Sequence, residues 1–391
     1  MQTRPSTATL SNQLTLLKVK QGVFTLHRYP VLKKEQLRAW DAADELIVDY
    51  LNDQIDVATH KPLRVLIVND QFGALSTVLN AYSPTMFSDS YIAQQATQAN
   101  LAENNLAAVH CINSTQELVG FYDLVIIKIQ KSLAQLEDQL HKIRPHLQTD
   151  SIIIGAAMVK MLHTSNLNLF EKIIGPTTTS LAKKKARLIF SDYQHTLNPA
   201  DNPYPQSYFL ESQQWNILNH ANVFSRAKLD IGCRYFLENI PSSQHYHKIV
   251  DLGCGNGLVG LMAAQLNPQA QIDFYDESYM AIASAEHNFK QIFNDRRAAT
   301  FNVADCLTDC AAASVDLILN NPPFHQQNAI GDFIARQMFK QSFTALKPKG
   351  ELWVIGNRHL DYPQILKNIF NNCQQVTANK KFVILRAVKN S

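Results

Sequence analysis

Short apolar runs alternate with longer amphipathic runs along the second half of the chain. The short runs predict buried strands at residues 248–252, 271–275, 299–303, 315–319 and 351–355. Two longer runs, residues 258–266 and 280–293, have apolar positions at helical spacing and predict helices. This alternation is typical of an α/β fold with a mostly parallel, doubly wound sheet.

The first half repeats the same plan. A strand is predicted at residues 63–68, and four further segments match the second half in order. Residues 86–91 align with 274–279 across a one-residue gap, 123–127 with 316–320, 153–155 with 354–356, and 184–189 with 380–384. Agreement at this many ordered points indicates an internal duplication.

Two tandem domains are therefore predicted, at residues 1–200 and 207–391. Residues 195–206 are rich in Asn, Pro and Tyr and predict a linker, and residues 208–218 predict a hairpin that leads into the second domain.

The two copies differ at the positions where catalytic and cofactor-binding residues are expected. Residues 321–324 align with 128–131, and a loop with several glycines aligns with a segment that holds only Gly73. The first copy is therefore predicted to be degenerate and catalytically silent.

Composition limits the class of protein. The chain has 391 residues, 46% hydrophobic and 18% charged, which predicts a folded, soluble protein of two domains. There is no run of 18 apolar residues and no apolar signal segment, so we expect a cytoplasmic protein with no membrane span. The six cysteines are scattered without Cys-x-x-Cys spacing, which predicts reduced thiols and no metal site. We also expect a monomer.

One local basic cluster stands out against a net charge of only +3. It consists of Lys183, Lys184, Lys185 and Arg187, and it is a candidate binding site for a polyanion. A solvated end of a strand or helix explains the same residues equally well.

A glycine-rich loop follows the strand at residues 248–252. Gly255, Gly257 and Gly260 satisfy Gly-x-Gly-x-x-Gly, and Asp276 lies nineteen residues after Gly257, so a nicotinamide cofactor has to be considered. The preceding Asp251 extends the pattern to Asp-x-Gly-x-Gly-x-Gly, which suits a cofactor without a pyrophosphate.

This extended loop resembles the S-adenosylmethionine loop of Rossmann-like methyltransferases. The resemblance implies that glycine backbone lies under the amino-acid end and ribose of the cofactor. Asp251 would bind the ammonium group, Asp276 the ribose hydroxyls and Asp305 the adenine amino group, although a strand-end turn or helix cap also explains Asp305. The predicted cofactor-binding residues are Asp251, Gly253, Cys254, Gly255, Gly257, Asp276 and Asp305.

The tetrapeptide Asn321-Pro322-Pro323-Phe324 follows the fourth strand of the second domain. Here the Asn321 side-chain oxygen and the Pro322 carbonyl are predicted to accept both N–H groups of a conjugated amino nitrogen and to turn its lone pair toward a methyl donor. Two prolines stiffen the loop, and Phe324 offers a stacking face. Pro-Pro also ends strands, and a neighbouring aromatic is often core. The glycine loop upstream and the position at the carboxyl edge of the sheet favour catalysis.

Asn-Pro-Pro-Phe occurs in DNA adenine, protein glutamine and ribosomal RNA guanine-N2 methyltransferases. A degenerate domain followed by an active one is similar to the bacterial ribosomal RNA guanine-N2 methyltransferases, as are residues 222–226 and 229–232 and the His325 after the tetrapeptide. Residues 69–75, 175–179 and 357–362 resemble the large-subunit (23S) enzymes of that family.

The resemblance implies a fold of two class I methyltransferase domains, S-adenosylmethionine as cofactor and N2-methylguanosine in protein-free 23S ribosomal RNA as product. The first domain would bind RNA through Lys183–Arg187, with help from Lys128 and Lys131. The alternatives are a small-subunit guanine-N2 enzyme, a protein glutamine or DNA adenine methyltransferase, an inactive RNA-binding scaffold and a nicotinamide enzyme.

Overall fold

A computed structural model describes residues 14–31, 35–54, 63–226, 228–294, 296–323 and 329–390. Phe324 and His325 lie outside these residues. The chain divides into two compact units, Met1–Pro203 and Tyr204–Ser391. Among the helices of the described residues, none is long and apolar enough to cross a bilayer. The described part also holds no cluster of His, Cys, Asp and Glu side chains suited to a metal ion.

The first unit is an α/β domain. Its elements are β1 (Leu16–Val19), β2 (Gly22–Thr25), α1 (Ala42–Gln54), β3 (Val65–Val68), α2 (Ala74–Val78), β4 (Thr85–Ser88), α3 (Tyr91–Glu103), β5 (His110–Asn113), β6 (Leu124–Lys128), α4 (Leu133–Ile143), β7 (Ile152–Met158), α5 (Thr164–Ile173), β8 (Thr177–Thr179) and β9 (Ala186–Ser191), with short 3₁₀ helices at Asn80–Tyr82, Arg144–His146 and Val159–Met161. The main sheet has the order β5-β4-β3-β6-β7-β9-β8. It is parallel as far as β7, and β9 and β8 add antiparallel strands at one edge.

The second unit has the same topology and, like the first with β1 and β2, begins with a two-stranded hairpin. Its elements are β10 (Gln206–Leu210), β11 (Trp215–Asn219), α6 (Ile231–Leu237), β12 (Lys248–Leu252), α7 (Leu258–Leu266), β13 (Gln271–Asp276), α8 (Tyr279–Phe293), β14 (Ala299–Val303), β15 (Val315–Asn320), α9 (Ala329–Ala345), β16 (Leu346–Asn357), α10 (Tyr362–Phe370), β17 (Gln374–Ala378) and β18 (Phe382–Val388). Its main sheet has the order β14-β13-β12-β15-β16-β18-β17. The prediction of two tandem Rossmann-like domains is confirmed, and the antiparallel edge pair of each sheet is an addition to it.

Both faces of the second sheet are buried. Ile249 and Leu317 belong to a core with α6, α7 and α8, whereas Val250 and Ile318 belong to a second core with α9 and α10. Successive residues of a strand face opposite sides of its sheet, so a strand covered on both sides is apolar throughout. This burial explains why the parallel strands were visible as continuous apolar runs.

The strand pairings show which residues of the two units are equivalent. The last residues of β3 and β12 pair with Ile127 and Asn320, respectively. The next residues along the chain, Lys128 and Asn321, therefore occupy equivalent positions. The predicted match of Lys128 with Asn321, the first position of the aligned segments, is confirmed.

Three other details of the predicted alignment were wrong. β4 ends at Ser88 as β13 ends at Asp276, and each side chain accepts a hydrogen bond from the amide two residues further on (3.1 and 3.0 Å). No gap is needed, and Asp89 corresponds to Glu277. In the neighbouring strands, Gly155 is equivalent to Val354, two residues away from the predicted match. In β9 and β18, Ile189 is equivalent to Leu385, one residue away from the predicted match with Ile384. Apolar strands resemble one another at several registers, which explains these errors.

Candidate active site

The loop between β12 and α7 depends on glycine at three positions. Gly253, Gly255 and Gly257 have φ angles of 71°, 55° and 83°, in the left-handed region that favours glycine. Gly257 directly precedes the first residue of α7. A Cβ atom added at Gly255 would meet nothing within 4 Å, so the backbone there borders open space that a ligand can fill.

Gly260 has a packing role and does not border the open space. A Cβ atom there would lie 2.2 Å from a ring carbon of Phe274, whose side chain is fully buried beneath α7. Gly260 therefore allows α7 to pack closely on the sheet. This close packing brings the first turn of the helix to the strand end that carries Asp251.

Asp276 ties the end of β13 to the glycine loop. Its Oδ2 accepts a hydrogen bond from the Gly255 amide at 3.0 Å, and its Oδ1 accepts one from the Ser278 amide at 3.0 Å. The half-buried carboxylate therefore lies beside the open space at Gly255.

Asp251 lies beneath the loop and is only 1% exposed. Its Oδ2 accepts a hydrogen bond from the Gly260 amide at 2.7 Å, at the beginning of α7. Burial and the negative charge of Asp276, opposed by the hydrogen bond from the Gly260 amide, raise the pKa of Asp251 to about 7. Asp251 is therefore a carboxylate that changes charge near neutral pH.

The other two predicted cofactor residues lie at the same edge of the sheet. Cys254 is buried, and burial raises the pKa of its thiol, which keeps it protonated. Asp305 follows β14 and is 8% exposed. Its Oδ1 accepts a hydrogen bond from Nε2 of Gln337 on α9 at 2.9 Å. Gln337 was missed from the sequence because it lies 32 residues away in a different element.

Asn321 follows the last residue of β15. Its Oδ1 is buried and has no hydrogen-bond partner among the described residues. The preceding Asn320 anchors the strand end, since its Nδ2 donates to the Leu252 carbonyl of β12 at 2.8 Å. Pro322 is buried and Pro323 is exposed. A buried acceptor without a donor is costly, and a substrate N–H group would satisfy this one.

The equivalent edge of the first unit is filled by its own side chains. Asn69, which follows β3 as Gly253 follows β12, has a φ angle of 63°. Its Nδ2 donates to the Lys128 carbonyl and to Gln139 Oε1, both at 3.0 Å. At the position of Asp276 this unit has Ser88. The first unit therefore lacks both the glycine cradle and the carboxylate that borders it.

Lys128, at the position of Asn321, does not face solvent. Its Nζ lies 2.9 Å from Asp41 Oδ1 and 2.6 Å from Asp44 Oδ1, with the Lys128 side chain 13% exposed. Burial lowers the pKa of Lys128, but the charges of the two carboxylates outweigh burial and raise it. The ammonium group of Lys128 is committed to this cluster, which argues against the predicted contact of Lys128 with RNA.

The basic cluster Lys183–Arg187 forms the tip of the hairpin between β8 and β9. Lys184 and Lys185 have φ angles of 50° and 63°, as in a tight hairpin turn. Lys183 Nζ lies 2.8 Å from an oxygen of Asp49, and Lys184 Nζ lies 2.7 Å from one of Glu45. Both acidic residues belong to α1. Lys185 is exposed, and Arg187 is half-buried on β9.

The doubly wound sheet, the glycine cradle beside a strand-end carboxylate and the unsatisfied acceptor after β15 define an S-adenosylmethionine-dependent methyltransferase. Two protein-family models match the chain. One, described as "RLMG N-terminal domain", matches residues 14–195, and the other, "Methyltransferase small domain", matches residues 214–386. The ribosomal RNA large subunit methyltransferase G of Streptomyces griseus is 46% identical over 376 residues, covering 94% of this chain and 98% of that protein. The Aeromonas salmonicida protein of the same name is 46% identical, covering 96% and 99%. The chain belongs to the ribosomal RNA large subunit methyltransferase G family.

A solved structure has the same tandem fold. The 16S rRNA N2 methyltransferase RsmC of T. thermophilus, in complex with AdoMet and guanosine, superposes with a TM-score of 0.76. The comparison covers 98% of this chain and 100% of that one, at 18% sequence identity. At this identity the similarity concerns the fold alone.

Proposed function

We propose that this protein transfers the methyl group of S-adenosylmethionine to N2 of one guanine in 23S ribosomal RNA, with protein-free RNA as the preferred substrate. The observation that carries the proposal is the buried Oδ1 of Asn321, which has no partner among the described residues and lies at the sheet edge that holds the glycine cradle. We further propose that the enzyme acts as a monomer in the cytoplasm.

The reaction needs positioning more than acid–base chemistry. S-adenosylmethionine supplies an electrophilic methyl group when bound. The guanine amino group is a poor nucleophile because its lone pair is delocalised into the ring. Asn321 Oδ1 and the Pro322 carbonyl accept its two N–H groups and direct the lone pair at the methyl carbon. As the N–C bond forms, the C–S bond breaks and sulfur keeps the electron pair. The positive charge on N2 faces both acceptors until a proton leaves to water.

The predicted cofactor residues keep their proposed roles. The backbone of Gly253, Gly255 and Gly257 cradles the amino-acid end and ribose, with the side chain of Cys254 packed below. Asp276 accepts hydrogen bonds from the ribose hydroxyls. The hydrogen bond that it accepts from the Gly255 amide keeps the carboxylate next to the glycine cradle. Three further residues complete the set: Asp251 for the ammonium group, Asp305 for the adenine amino group and Phe324 for base stacking.

The affinity for S-adenosylmethionine is expected to depend on Asp251 and pH. With a pKa of about 7, Asp251 is ionised at pH 8 and mostly protonated at pH 6. A cofactor ammonium group prefers the carboxylate, so Kd rises by up to about tenfold per pH unit below 7. The effect of pH on folding has the opposite sign. Because burial raises the pKa of Asp251, the stability that this side chain contributes to the folded state is present at low pH and is lost as the pH rises through about 7. Calorimetric titration between pH 5.5 and 8.5 measures the effect.

Asp251→Asn is the matched control for this titration. The amide oxygen of the new side chain still accepts a hydrogen bond from the Gly260 amide, but the side chain carries no charge. The Kd of this variant for S-adenosylmethionine is therefore expected to be high and independent of pH. A wild-type Kd that stays constant across the same range contradicts the proposed contact between Asp251 and the ammonium group.

We propose that the hairpin tip of the first unit binds RNA phosphates through Lys183, Lys184, Lys185 and Arg187. Contacts of this kind position an RNA without specifying its sequence. Replacing the three lysines by Ala is expected to weaken binding of large-subunit RNA and to lower the slope of log K against log[salt] by about 2, at roughly 0.7 per lost phosphate contact. Cofactor affinity stays unchanged. Filter binding at several salt concentrations tests this, and unaltered binding refutes it.

The ion pair between Lys183 and Asp49 provides a control of opposite sign. Asp49→Asn removes an exposed competitor for the Lys183 ammonium group, whose Nζ is 2.8 Å away. If the hairpin binds phosphate, this variant binds RNA more tightly than the wild type. If the lysines only attach the hairpin to α1, RNA affinity does not change.

A transfer assay with competing acceptors tests the proposed function. Tritiated S-adenosylmethionine is offered with protein-free large-subunit RNA, small-subunit RNA, assembled large subunits, DNA or a protein extract. The proposal expects label in the first acceptor alone. If the label is found mainly in small-subunit RNA, in DNA or in protein, the corresponding alternative function replaces the proposed one.

A further inference from the structure

A second buried acceptor lies near Asn321. Asn357 is the last residue of β16 and is 9% exposed. Its Oδ1 has no hydrogen-bond partner in the part of the chain that the structure describes. The turn that follows closes without this oxygen, because the Leu360 amide donates to the main-chain carbonyl of Asn357 at 3.0 Å. The unsatisfied oxygen therefore has no evident part in ending the strand.

The strand register places Asn357 beside the catalytic loop. β16 runs parallel to β15 with Val354 next to Asn320. Continuing this register sets Ile355 beside Asn321, and Asn357 two residues further along. From a strand spacing of about 4.8 Å and a rise of about 3.3 Å per residue, the Cα atoms of the two asparagines are roughly 8 Å apart. Their side chains are close enough to contact one base.

Both side chains belong to the same face of the sheet. Leu319 of β15 and Ile355 of β16 lie in the core formed with α6, α7 and α8. Side chains two residues apart in a strand share a face, so Asn321 and Asn357 continue that face beyond the core. Asn320 takes the opposite face, where its amide lies 3.6 Å from Met338 Sδ of α9. Asn320 Oδ1 also lacks a partner in the described part of the chain, but it belongs to that other face. The Oδ1 atoms of Asn321 and Asn357 are thus diagonal neighbours on one surface.

Two acceptors at this spacing complement the donor edge of guanine. Guanine presents its N1–H beside the 2-amino group, whereas adenine has a lone pair at N1. We propose that Asn357 Oδ1 accepts the N1–H of the target guanine while Asn321 and Pro322 hold the amino group, which makes Asn357 a specificity-determining residue. The inference rests on the proposed guanine-N2 methylation. A site built around a buried acceptor rejects a base that cannot donate to it, because the acceptor is left unpaired.

The purine 2,6-diaminopurine separates this role from a structural one. It retains the reacting 2-amino group but has a lone pair at N1, which would face the Asn357 oxygen. Ligated large-subunit RNA fragments with guanosine or 2,6-diaminopurine at the methylated position are the two substrates. The wild type is expected to prefer guanosine by about a hundredfold in kcat/KM. Asn357→Ala should lower kcat/KM for guanosine by about thirtyfold and raise it for 2,6-diaminopurine, so that the preference largely disappears.

Asn372→Ala is the matched control, since Asn372 has structural bonds only. Its side chain bonds to the Phe370 carbonyl and to the main chain of Val388. This variant should keep the wild-type preference even if it lowers stability. Equal losses on both substrates with Asn357→Ala, or no loss on guanosine, overturn the inference. A wild type that methylates neither RNA contradicts the proposed function itself, which is a distinguishable result.

Discussion

Asn321→Ala is expected to lower kcat for methyl transfer to large-subunit RNA by about 10³-fold, with Kd for S-adenosylmethionine changed less than twofold. The variant removes one of two acceptors that face the nitrogen as it becomes positive. Removing one such electrostatic partner from an active site costs about 10²–10³-fold in kcat. Loss of orientation of the lone pair adds to that cost. Single-turnover kinetics with saturating cofactor measure the methyl-transfer step.

Asn321→Asp is the matched variant. It keeps an acceptor oxygen in a side chain of the same size, so it should retain more activity than Asn321→Ala. If the Ala variant transfers methyl groups within about fivefold of the wild-type rate, Asn321 is not the residue that holds the reacting nitrogen. A large loss of cofactor affinity would instead show that Asn321 supports the cofactor site.

The paired variants Gly255→Ala and Gly260→Ala are expected to lose different properties. The first should lose affinity for S-adenosylmethionine, and the second should lose stability. At Gly255 the new methyl group meets no protein atom within 4 Å, and the φ angle of 55° costs about 1 kcal/mol. The protein folds, but the methyl group occupies the cradle. Affinity for S-adenosylmethionine then falls by about a hundredfold, equivalent to about 2.7 kcal/mol.

At Gly260 the new methyl group would lie 2.2 Å from the buried ring of Phe274. Overpacking of this kind costs about 3 kcal/mol, so the melting temperature should fall by about 8 °C. Thermal unfolding and calorimetric cofactor titration on both variants separate the two effects. Unchanged cofactor affinity in Gly255→Ala would show that this glycine does not border the cofactor.

The sequence predicted the regular elements of the second unit closely. β12, α7 and β14 begin and end at the predicted residues, because their apolar runs are bounded by polar or glycine positions. β16 is longer than predicted at both ends, since Leu346 pairs with Val315 of β15, and Gly356 and Asn357 pair with β18. No element before residue 63 was predicted, although α1 lies there. Its apolar positions are interrupted by acidic residues that pair with distant lysines.

Contacts between distant parts of the chain were the least visible from sequence. Lys128 looked like a surface cation because its partners, Asp41 and Asp44, lie 87 and 84 residues earlier in the chain. The glycine cradle was evident because its residue type follows from local backbone geometry. Asn357 Oδ1, which has no partner within the described ranges, could not be inferred in the same way, since its proposed role depends on the register between β15 and β16.

The most direct test of the account is nucleoside analysis of 23S ribosomal RNA from three strains. One lacks the protein, one carries the wild type and one carries Asn321→Ala at equal protein level. The account predicts N2-methylguanosine at one large-subunit position in the wild type, and its loss both in the deletion strain and with Asn321→Ala. The same modification in all three strains would contradict it, as would restoration of the modification by Asn321→Ala.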